Sequence, residues 1–224
     1  MCGRFTLTAS PKVLAEAFPG LALPADYTPR YNITPTQNVL VIANRAERQF
    51  EFMRWGLVPS WAKDDSVGNR MINARAETLA EKPSFRAALK KRRCLIIADG
   101  FYEWQTLPGQ KTKQPQFIHL TGQTPFAFAG LWEFWQPAGR NPLLSCTIIT
   151  TEPNPLMAAI HNRMPVILPP NHYDHWLDPG ELPGEAAQSL LTAYPAEAMN
   201  HYPVSNEVNR PTADHPRLIL PLAA

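Results

Sequence analysis

Proline constrains the fold of this chain more than any other residue, because 24 of its 224 residues are prolines spread along its length. A proline inside a helix removes a backbone hydrogen bond and clashes with the preceding turn, and in a sheet it is confined to edges and bulges. We therefore expect a loop-rich, strand-rich body rather than a helical bundle. With 45% hydrophobic residues, a single domain over residues 1–224 can bury a sizeable core.

Local patterns predict short strands and helices without regular βαβ spacing. Ser10-Pro11 before an apolar stripe is typical of a helix start. The predicted strands are residues 39–43, 48–55, 94–98, 116–120, 126–131, 145–150 and 217–220. The predicted helices are residues 84–93, 154–160, 171–177 and 184–194. This order predicts an α+β domain with a mainly antiparallel sheet, and we expect the basic run at 90–93 to complement a helix C-terminus and border solvent.

Charge and cysteine content exclude several classes of protein. The formal net charge is only +2, so any basic surface has to be local. Cys2, Cys94 and Cys146 form no Cys-x-x-Cys pair, which excludes a disulfide framework and a zinc ribbon and fits a reducing compartment. The first ten residues lack an apolar signal core, and no apolar run approaches ~18 residues. We expect a cytoplasmic protein with no membrane partner.

Cys2 is the first candidate catalytic residue. An initiator methionine is usually removed before a small side chain, and this would leave Cys2 with a free α-amine beside its thiol. Their ordinary pKa values near ~8 and ~8.5 leave both partly deprotonated in a cell. With an aldehyde such a pair forms an imine and then a thiazolidine ring. With an amide or ester the thiolate attacks and the amine serves as its base.

Three later segments carry polar side chains that could assist this chemistry. Asn73 and Arg75 share one face of an extended segment. Glu103, between two aromatic residues, is a candidate general acid–base with a raised pKa, and His161 could move protons near neutral pH. Each also has a simpler explanation as a surface salt bridge, a solvated strand residue or a structural histidine. The other histidines show no ligand spacing, so we predict no metal site and no cofactor.

Six segments together resemble the SOS-response-associated peptidase (SRAP) family. They are Met1 to Phe5, Arg30 to Pro35, Arg54 to Trp61, Asn73 to Arg75, Ala98 to Trp104 and His161 to Pro165, in that order. The resemblance runs from residue 2 to about residue 209, where Pro203 to Ser205 and Val208-Asn209 also fit. It implies a single SRAP domain with a barrel-like β core and short flanking helices.

The resemblance also implies a DNA-damage protein that recognises abasic sites in single-stranded DNA. The α-amine of Cys2 would form a Schiff base with the opened sugar, and the thiol would close a thiazolidine that shields the lesion from strand cleavage. Lyase- and peptidase-type chemistry is implied as well, through reversal of the crosslink and self-directed removal of Met1. The expected partner is single-stranded DNA containing abasic sites, bound by a monomer that is then associated with the nucleoid.

The family pattern assigns a role to each matching residue. Cys2 would be the nucleophile, Asn73 would hold the α-amine or a sugar hydroxyl, Glu103 would be the general acid–base and His161 would move protons. The residues implied in DNA binding are Arg4, Arg75 and Arg163 for phosphates, Trp55 and Trp61 for stacking on bases, and Asn32 and Thr150 for shaping the pocket. Ala62 departs from the pattern, because family members often carry a second aromatic residue there.

Two other functions remain open at this point. An N-terminal-cysteine amidohydrolase or peptidase would use the same nucleophile, although Arg4-Phe5 departs from the apolar, glycine-rich start expected of glutamine amidotransferases. A noncovalent single-stranded DNA-binding module would use Cys2 only structurally. In that case Glu103 and His161 would be dispensable.

Overall fold

The computed structural model describes residues 2–139 and 141–222, and these form an α+β fold of two sheets with short helices. The strands are β1 (Arg4–Leu7), β2 (Arg30–Ile33), β3 (Asn38–Ala43), β4 (Phe50–Trp55), β5 (Asn73–Arg75), β6 (Arg93–Ala98), β7 (Gly100–Gln105), β8 (Gln114–Leu120), β9 (Phe126–Trp135), β10 (Leu143–Thr151), β11 (Met164–Pro165), β12 (Ile167–Leu168) and β13 (Met199–Pro203). The helices are α1 (Pro11–Ala17), α2 (Arg86–Lys91), α3 (Pro155–Ala158), α4 (Tyr173–Trp176) and α5 (Gly184–Leu190). The 3-10 turns are Asp65–Arg70, Ala76–Thr78, Pro170–His172, Ala196–Ala198, Asn206–Asn209 and Pro216–Ile219. No helix in the described ranges is long and apolar enough to cross a membrane.

Five strands close into a barrel, as the family resemblance implies. β10 pairs with β4, β4 with β3, β3 with β6, β6 with β9, and β9 returns to β10. Closure removes exposed strand edges. On β9, Gly130 pairs with both Cys94 and Ile148. A Cβ at Gly130 would lie 2.9 Å from the Cys94 sulfur, so the strands can approach this closely only with glycine there.

The second sheet contains five antiparallel strands in the order β13-β8-β7-β1-β2. Strand β1 lies between β7 and β2, with Phe5 opposite Phe101 on one side and Ile33 on the other. The Phe5 ring meets the barrel residues Trp55 and Phe128 edge-on, at centroid distances of 5.1 and 5.7 Å. This aromatic contact holds the start of the chain against the barrel.

Strands β4 and β5 pair with successive parts of the same edge of β10, and a loop connects them. Ser145 and Cys146 of β10 pair with β4, and residues 148–150 pair with β5, both in parallel. The loop returns through a close backbone crossing of two glycines. Gly56 has a φ of +126°, and a Cβ on it would lie 2.6 Å from the carbonyl oxygen of Gly68. The crossing brings Asn73 back to β10.

Several sequence predictions are confirmed by local structure. Ser10 caps α1, where its side chain accepts a hydrogen bond from the backbone N–H of Val13, and Pro11 is the first helical residue. The helix predicted at 154–160 is present but shorter, because α3 runs from Pro155 to Ala158 and Asn154 is its cap. The strand predicted at 217–220 is wrong, because Pro216–Ile219 is a 3-10 turn.

The predicted helix at 84–93 ends too late, and its last basic residue does not border solvent. Helix α2 ends at Lys91, and Arg93 begins β6 with a fully buried side chain. Its guanidinium donates to five backbone carbonyl groups, those of Leu89, Lys90, Trp176, Asp178 and Gly180. Burial lowers the pKa of Arg93, and the carbonyl oxygens compensate the buried charge. The residue therefore links α2 to the segment after α4.

Candidate functional site around Cys2

Cys2 is buried two residues before the start of β1, where the second sheet meets the barrel. Its side chain is 0% exposed, and its sulfur lies 3.8 Å from the carbonyl oxygen of Arg4. Burial raises the pKa of the Cys2 thiol, and the negative charge of Glu103 raises it further. The thiol is therefore held in its neutral form, within electrostatic reach of a carboxyl group.

Asn73 joins Cys2 to the barrel. It is the first residue of β5 and pairs with Ile148 of β10. Its Nδ2 donates to the backbone carbonyl of Cys2 at 2.8 Å. Its Oδ1 is buried and has no hydrogen-bond partner among residues 2–139 and 141–222. A buried acceptor of this kind can receive a hydrogen bond from a group that enters the site.

Glu103 comes from β7, the strand that pairs with β1. It is 2% exposed, so it is not a solvated strand residue. Burial raises its pKa, and the positive charge of a protonated His161 lowers it in part. A carboxyl group in this setting keeps its proton at a higher pH than usual, as a general acid requires.

His161 follows the C-terminus of α3. Its backbone N–H donates to the Met157 carbonyl at 2.8 Å, and its Nδ1 accepts from the backbone N–H of Arg163 at 3.1 Å. An Nδ1 that accepts a hydrogen bond leaves the proton of the neutral ring on Nε2. Three pairwise interactions thus connect residues from four distant parts of the chain. Asn73 is bonded to Cys2, the charge of Glu103 acts on Cys2, and the charge of His161 acts on Glu103.

Arg4 and Asn32 lie beside this group but are occupied by the C-terminal segment. Arg4 donates to Asn32 Oδ1 at 3.0 Å and to the Val208 carbonyl at 2.6 Å, and burial lowers its pKa. The Asn32 amide donates to the carbonyls of Val208, Arg210 and Ala213. In this structure Arg4 therefore acts as a structural link, which differs from the expected phosphate contact.

Three more residues of the expected DNA-binding set are also engaged inside the protein. The Trp55 ring is fully buried and its N–H donates to the Ile72 carbonyl at 2.8 Å, so it cannot stack on a base in this conformation. Arg163 forms two hydrogen bonds with the Glu77 carboxylate, at 2.7 and 3.0 Å, and one with the carbonyl of the buried Thr150 at 2.6 Å. These contacts replace the stacking and phosphate contacts expected of Trp55 and Arg163.

Trp61 and Arg75 are the two members of that set that lie at the surface. The Trp61 side chain is 63% exposed at the tip of a turn closed by a 2.9 Å hydrogen bond from the Ala62 N–H to the Pro59 carbonyl. The indole N–H of the buried Trp135 donates to the Ala62 carbonyl at 2.8 Å. This contact uses the backbone of residue 62, so it does not depend on the aromatic side chain that Ala62 lacks.

Sequence reasoning missed the residues that hold the site together. Asp214 accepts hydrogen bonds from the backbone of Tyr31 and Asn32 and from the Arg30 side chain. Gln105 donates to the Ala159 carbonyl just before His161. Nothing in the local sequence marks either residue, because their partners lie 54 to 184 positions away. Within residues 2–139 and 141–222, no cluster of three or more His, Cys, Asp or Glu side chains could hold a metal ion.

Comparison with known proteins assigns the chain to a family. A sequence model of the family described as "SOS response associated peptidase (SRAP)" matches residues 1–211. The chain belongs to the SRAP family. Among SRAP relatives, it is 50% identical over 222 residues to the "abasic site processing protein YoqW" of Bacillus subtilis, covering 98% of this chain and 99% of that protein.

More distant SRAP relatives also align over most of the chain. The "abasic site processing protein HMCES" of Gallus gallus is 35% identical over 229 residues, covering 88% of this chain and 67% of that protein. A crystal structure of a protein from Bacteroides thetaiotaomicron superposes with a TM-score of 0.88 at 25% identity, covering 99% of this chain and 100% of that chain. This chain therefore shares its fold with that protein over nearly its whole length.

Proposed function

We propose that this protein processes abasic sites in single-stranded DNA, as a monomer, by forming a covalent thiazolidine through Cys2. The observation that carries the proposal is the group formed by the buried Cys2 and Glu103 with the partly buried Asn73 and His161 in an SRAP chain. The names of the SRAP relatives support an abasic site as the substrate.

The proposed reaction needs only the opened sugar and the two nucleophiles of Cys2. An abasic deoxyribose in its open form carries an aldehyde at C1′. The α-amine of Cys2 adds to this carbon, and loss of one water gives an imine. The sulfur then adds to the imine carbon while the thiol proton passes to the imine nitrogen. A five-membered thiazolidine results, and one water is lost overall.

Burial supports an order of events in which the amine reacts first. Because burial raises the pKa of the Cys2 thiol, little thiolate is present before substrate enters. The imine is a far stronger electrophile than an amide, so a neutral thiol that loses its proton during addition suffices. An amidohydrolase would need the thiolate as its first nucleophile, and this setting disfavours it.

The neighbouring groups fit defined parts of this reaction. Glu103, whose pKa is raised by burial, holds a proton for the sugar ring oxygen as the ring opens. The Nε2–H tautomer of His161 offers a second proton to the departing water. The Oδ1 of Asn73, which has no partner within the described ranges, accepts a hydrogen bond from the α-amine or from a sugar hydroxyl. A noncovalent binding module would have no need to bring these groups together beside Cys2.

Removal of Met1 is part of the proposal, because a peptide bond to Met1 consumes the amine of Cys2. Met1 lies outside the described residues. We propose that it is removed before DNA is bound, either by the same site or by a separate aminopeptidase.

Intact mass spectrometry tests the proposal. The protein is mixed with single-stranded DNA that contains one abasic site, then denatured. We expect an adduct at the sum of the two masses minus one water, absent with Cys2→Ala, with protein that retains Met1, and with DNA carrying a tetrahydrofuran site that has no aldehyde. No adduct from protein with a confirmed N-terminal Cys2 would overturn the proposal. Ammonia release from glutamine would point to the amidohydrolase instead.

A further inference from the structure

We propose that Gln105 is a positioning residue for His161, acting through its hydrogen bond to the C-terminus of α3. The inference rests on the proposed function, in which His161 moves protons near Cys2. The Gln105 Nε2 donates to the Ala159 carbonyl at 3.0 Å, two residues before His161. Carbonyl groups in the last turn of a helix lack partners within the helix, so a side-chain donor can fix where that turn lies.

Gln105 is the end of a directed chain of hydrogen bonds across the second sheet. Gln116 donates through Nε2 to Gln105 Oε1 at 2.9 Å, and His201 Nδ1 lies 3.1 Å from Gln116 Oε1. The Ala159 carbonyl can only accept, which sets the orientation of Gln105, and then that of Gln116. The Nδ1 of His201 must therefore carry a proton and donate.

This orientation does not depend on the charge of His201. A protonated imidazole and its neutral Nδ1–H tautomer both donate from Nδ1. The chain therefore persists when His201 titrates, and it delivers the same Gln105 amide to α3 on either side of that titration. Gln116 is buried, 4% exposed, which protects the middle of the chain from competing water.

The sheet geometry explains why Gln105 can act on this particular histidine. Glu103 and Gln105 are two residues apart on β7, so their side chains lie on the same face. Gln116 of β8 pairs directly with Glu103. One strand thus supplies the carboxyl group and also the amide that fixes the segment carrying His161. Without the amide, α3 loses this tie to β7, and one of the contacts that set the separation of Glu103 and His161 is removed.

Rates of crosslinking test this inference with a matched control. Gln105→Leu removes the amide at similar volume, and Gln105→Glu keeps the shape but cannot donate to a carbonyl at neutral pH. Gln114 pairs with Gln105 in the adjacent strand and, among the residues that the structure describes, donates to the carbonyls of Pro115 and Val204, so Gln114→Leu is the control. We expect both Gln105 variants to crosslink about tenfold more slowly, since proton transfer is sensitive to small misplacements, and Gln114→Leu to keep the wild-type rate.

Two further measurements separate positioning from general damage. Noncovalent binding to tetrahydrofuran-containing DNA should be the same in wild type and in all three variants. In a His161→Ala background, Gln105→Leu should cause no further loss of rate, because it acts through the missing ring.

The outcomes distinguish this inference from the proposed function. If wild-type protein forms no adduct, the proposed function and the role of Gln105 are both overturned. If wild type reacts and the Gln105 variants keep its rate, or if the tenfold loss persists without His161, only the role of Gln105 is overturned. A loss of rate shared with Gln114→Leu would equally contradict it.

Discussion

The side-chain amide of Asn73 donates a 2.8 Å hydrogen bond to the backbone carbonyl of Cys2. The bond joins the barrel strand β5 to the residue that precedes β1, and it leaves the other end of the amide facing the site without a partner in the described part of the chain. Asn73 therefore orients the backbone of Cys2 and, in the reaction proposed above, also supplies an acceptor for the substrate.

Replacing Asn73 separates these two contributions. Asn73→Asp keeps the shape but places a carboxylate oxygen against the Cys2 carbonyl, where the donor was. We expect it to reduce the crosslinking rate more than Asn73→Ala does, and to cost about 1–3 kcal/mol of stability. Rates from single-turnover gels and unfolding curves in urea provide the measurement. Equal rates for Asp, Ala and wild type would contradict a role for this amide.

Glu103 makes stability depend on pH in a defined direction. Burial raises its folded-state pKa above the ordinary value of 4.5, so the folded state binds the proton more tightly than the unfolded state. The resulting stability is fully present below the unfolded pKa and is lost as the pH rises through the raised folded pKa. Glu103→Gln cannot ionise. The melting temperature of this variant minus that of wild type should therefore increase between pH 4 and pH 8.

The same Glu103→Gln protein tests the chemical role. It should crosslink more slowly than wild type at pH 6 and lose the part of the pH–rate profile that follows carboxyl ionisation. Melting curves and rates taken on the same samples show whether the two effects occur together. If the Glu103→Gln protein is stabilised but reacts at the wild-type rate, a catalytic role for Glu103 is contradicted.

Trp61 and Trp55 should behave in opposite ways, because one is exposed and the other buried. Trp61→Ala should weaken binding to single-stranded DNA by about 1–3 kcal/mol, the range for loss of one stacked base, with little change in stability. Trp55→Ala should destabilise the fold by about 3–5 kcal/mol. Fluorescence anisotropy and thermal melting distinguish the two, and a Trp61→Ala protein with unchanged affinity would rule out stacking there.

The salt dependence of DNA binding distinguishes the roles of Arg75 and Arg4. An arginine that contacts phosphate contributes about one unit to the slope of log affinity against log salt concentration. We expect Arg75→Ala to reduce this slope by about one. Arg4→Ala should leave it unchanged and instead lower stability, because Arg4 is bonded to Asn32 and the C-terminal segment. If Arg4→Ala instead reduced this slope, Arg4 would contact a phosphate, as the family pattern implies.

Sequence reasoning succeeds here where the signal is local and fails where the partner is distant. The Ser10 cap needs only a neighbour three residues away, so a short pattern predicts it. Arg163 and Trp55 have the right residue type for binding DNA, and only the fold shows that Glu77 and the Ile72 carbonyl already occupy them.

Arg93 shows the same limit for secondary structure. Four consecutive basic residues look alike whether the last one ends a helix or begins a strand. Its assignment to β6 depends on pairing with Leu131 of β9 and on carbonyl groups more than 80 positions away. The residues around Cys2 can be grouped from the sequence only because six segments together resemble one family, since each residue alone also has a simpler explanation.

The bonds from Arg4 and Asn32 to residues 208–213 also have a consequence for biosynthesis. Arg4 and Asn32 cannot make these bonds until residues 208–213 have been synthesised. A growing chain can already pair β1 with β2 and β7 and pack Phe5 on the barrel. The Arg4 guanidinium, however, waits for a carbonyl group 204 positions later in the chain, so the surroundings of β1 are completed only when that segment docks.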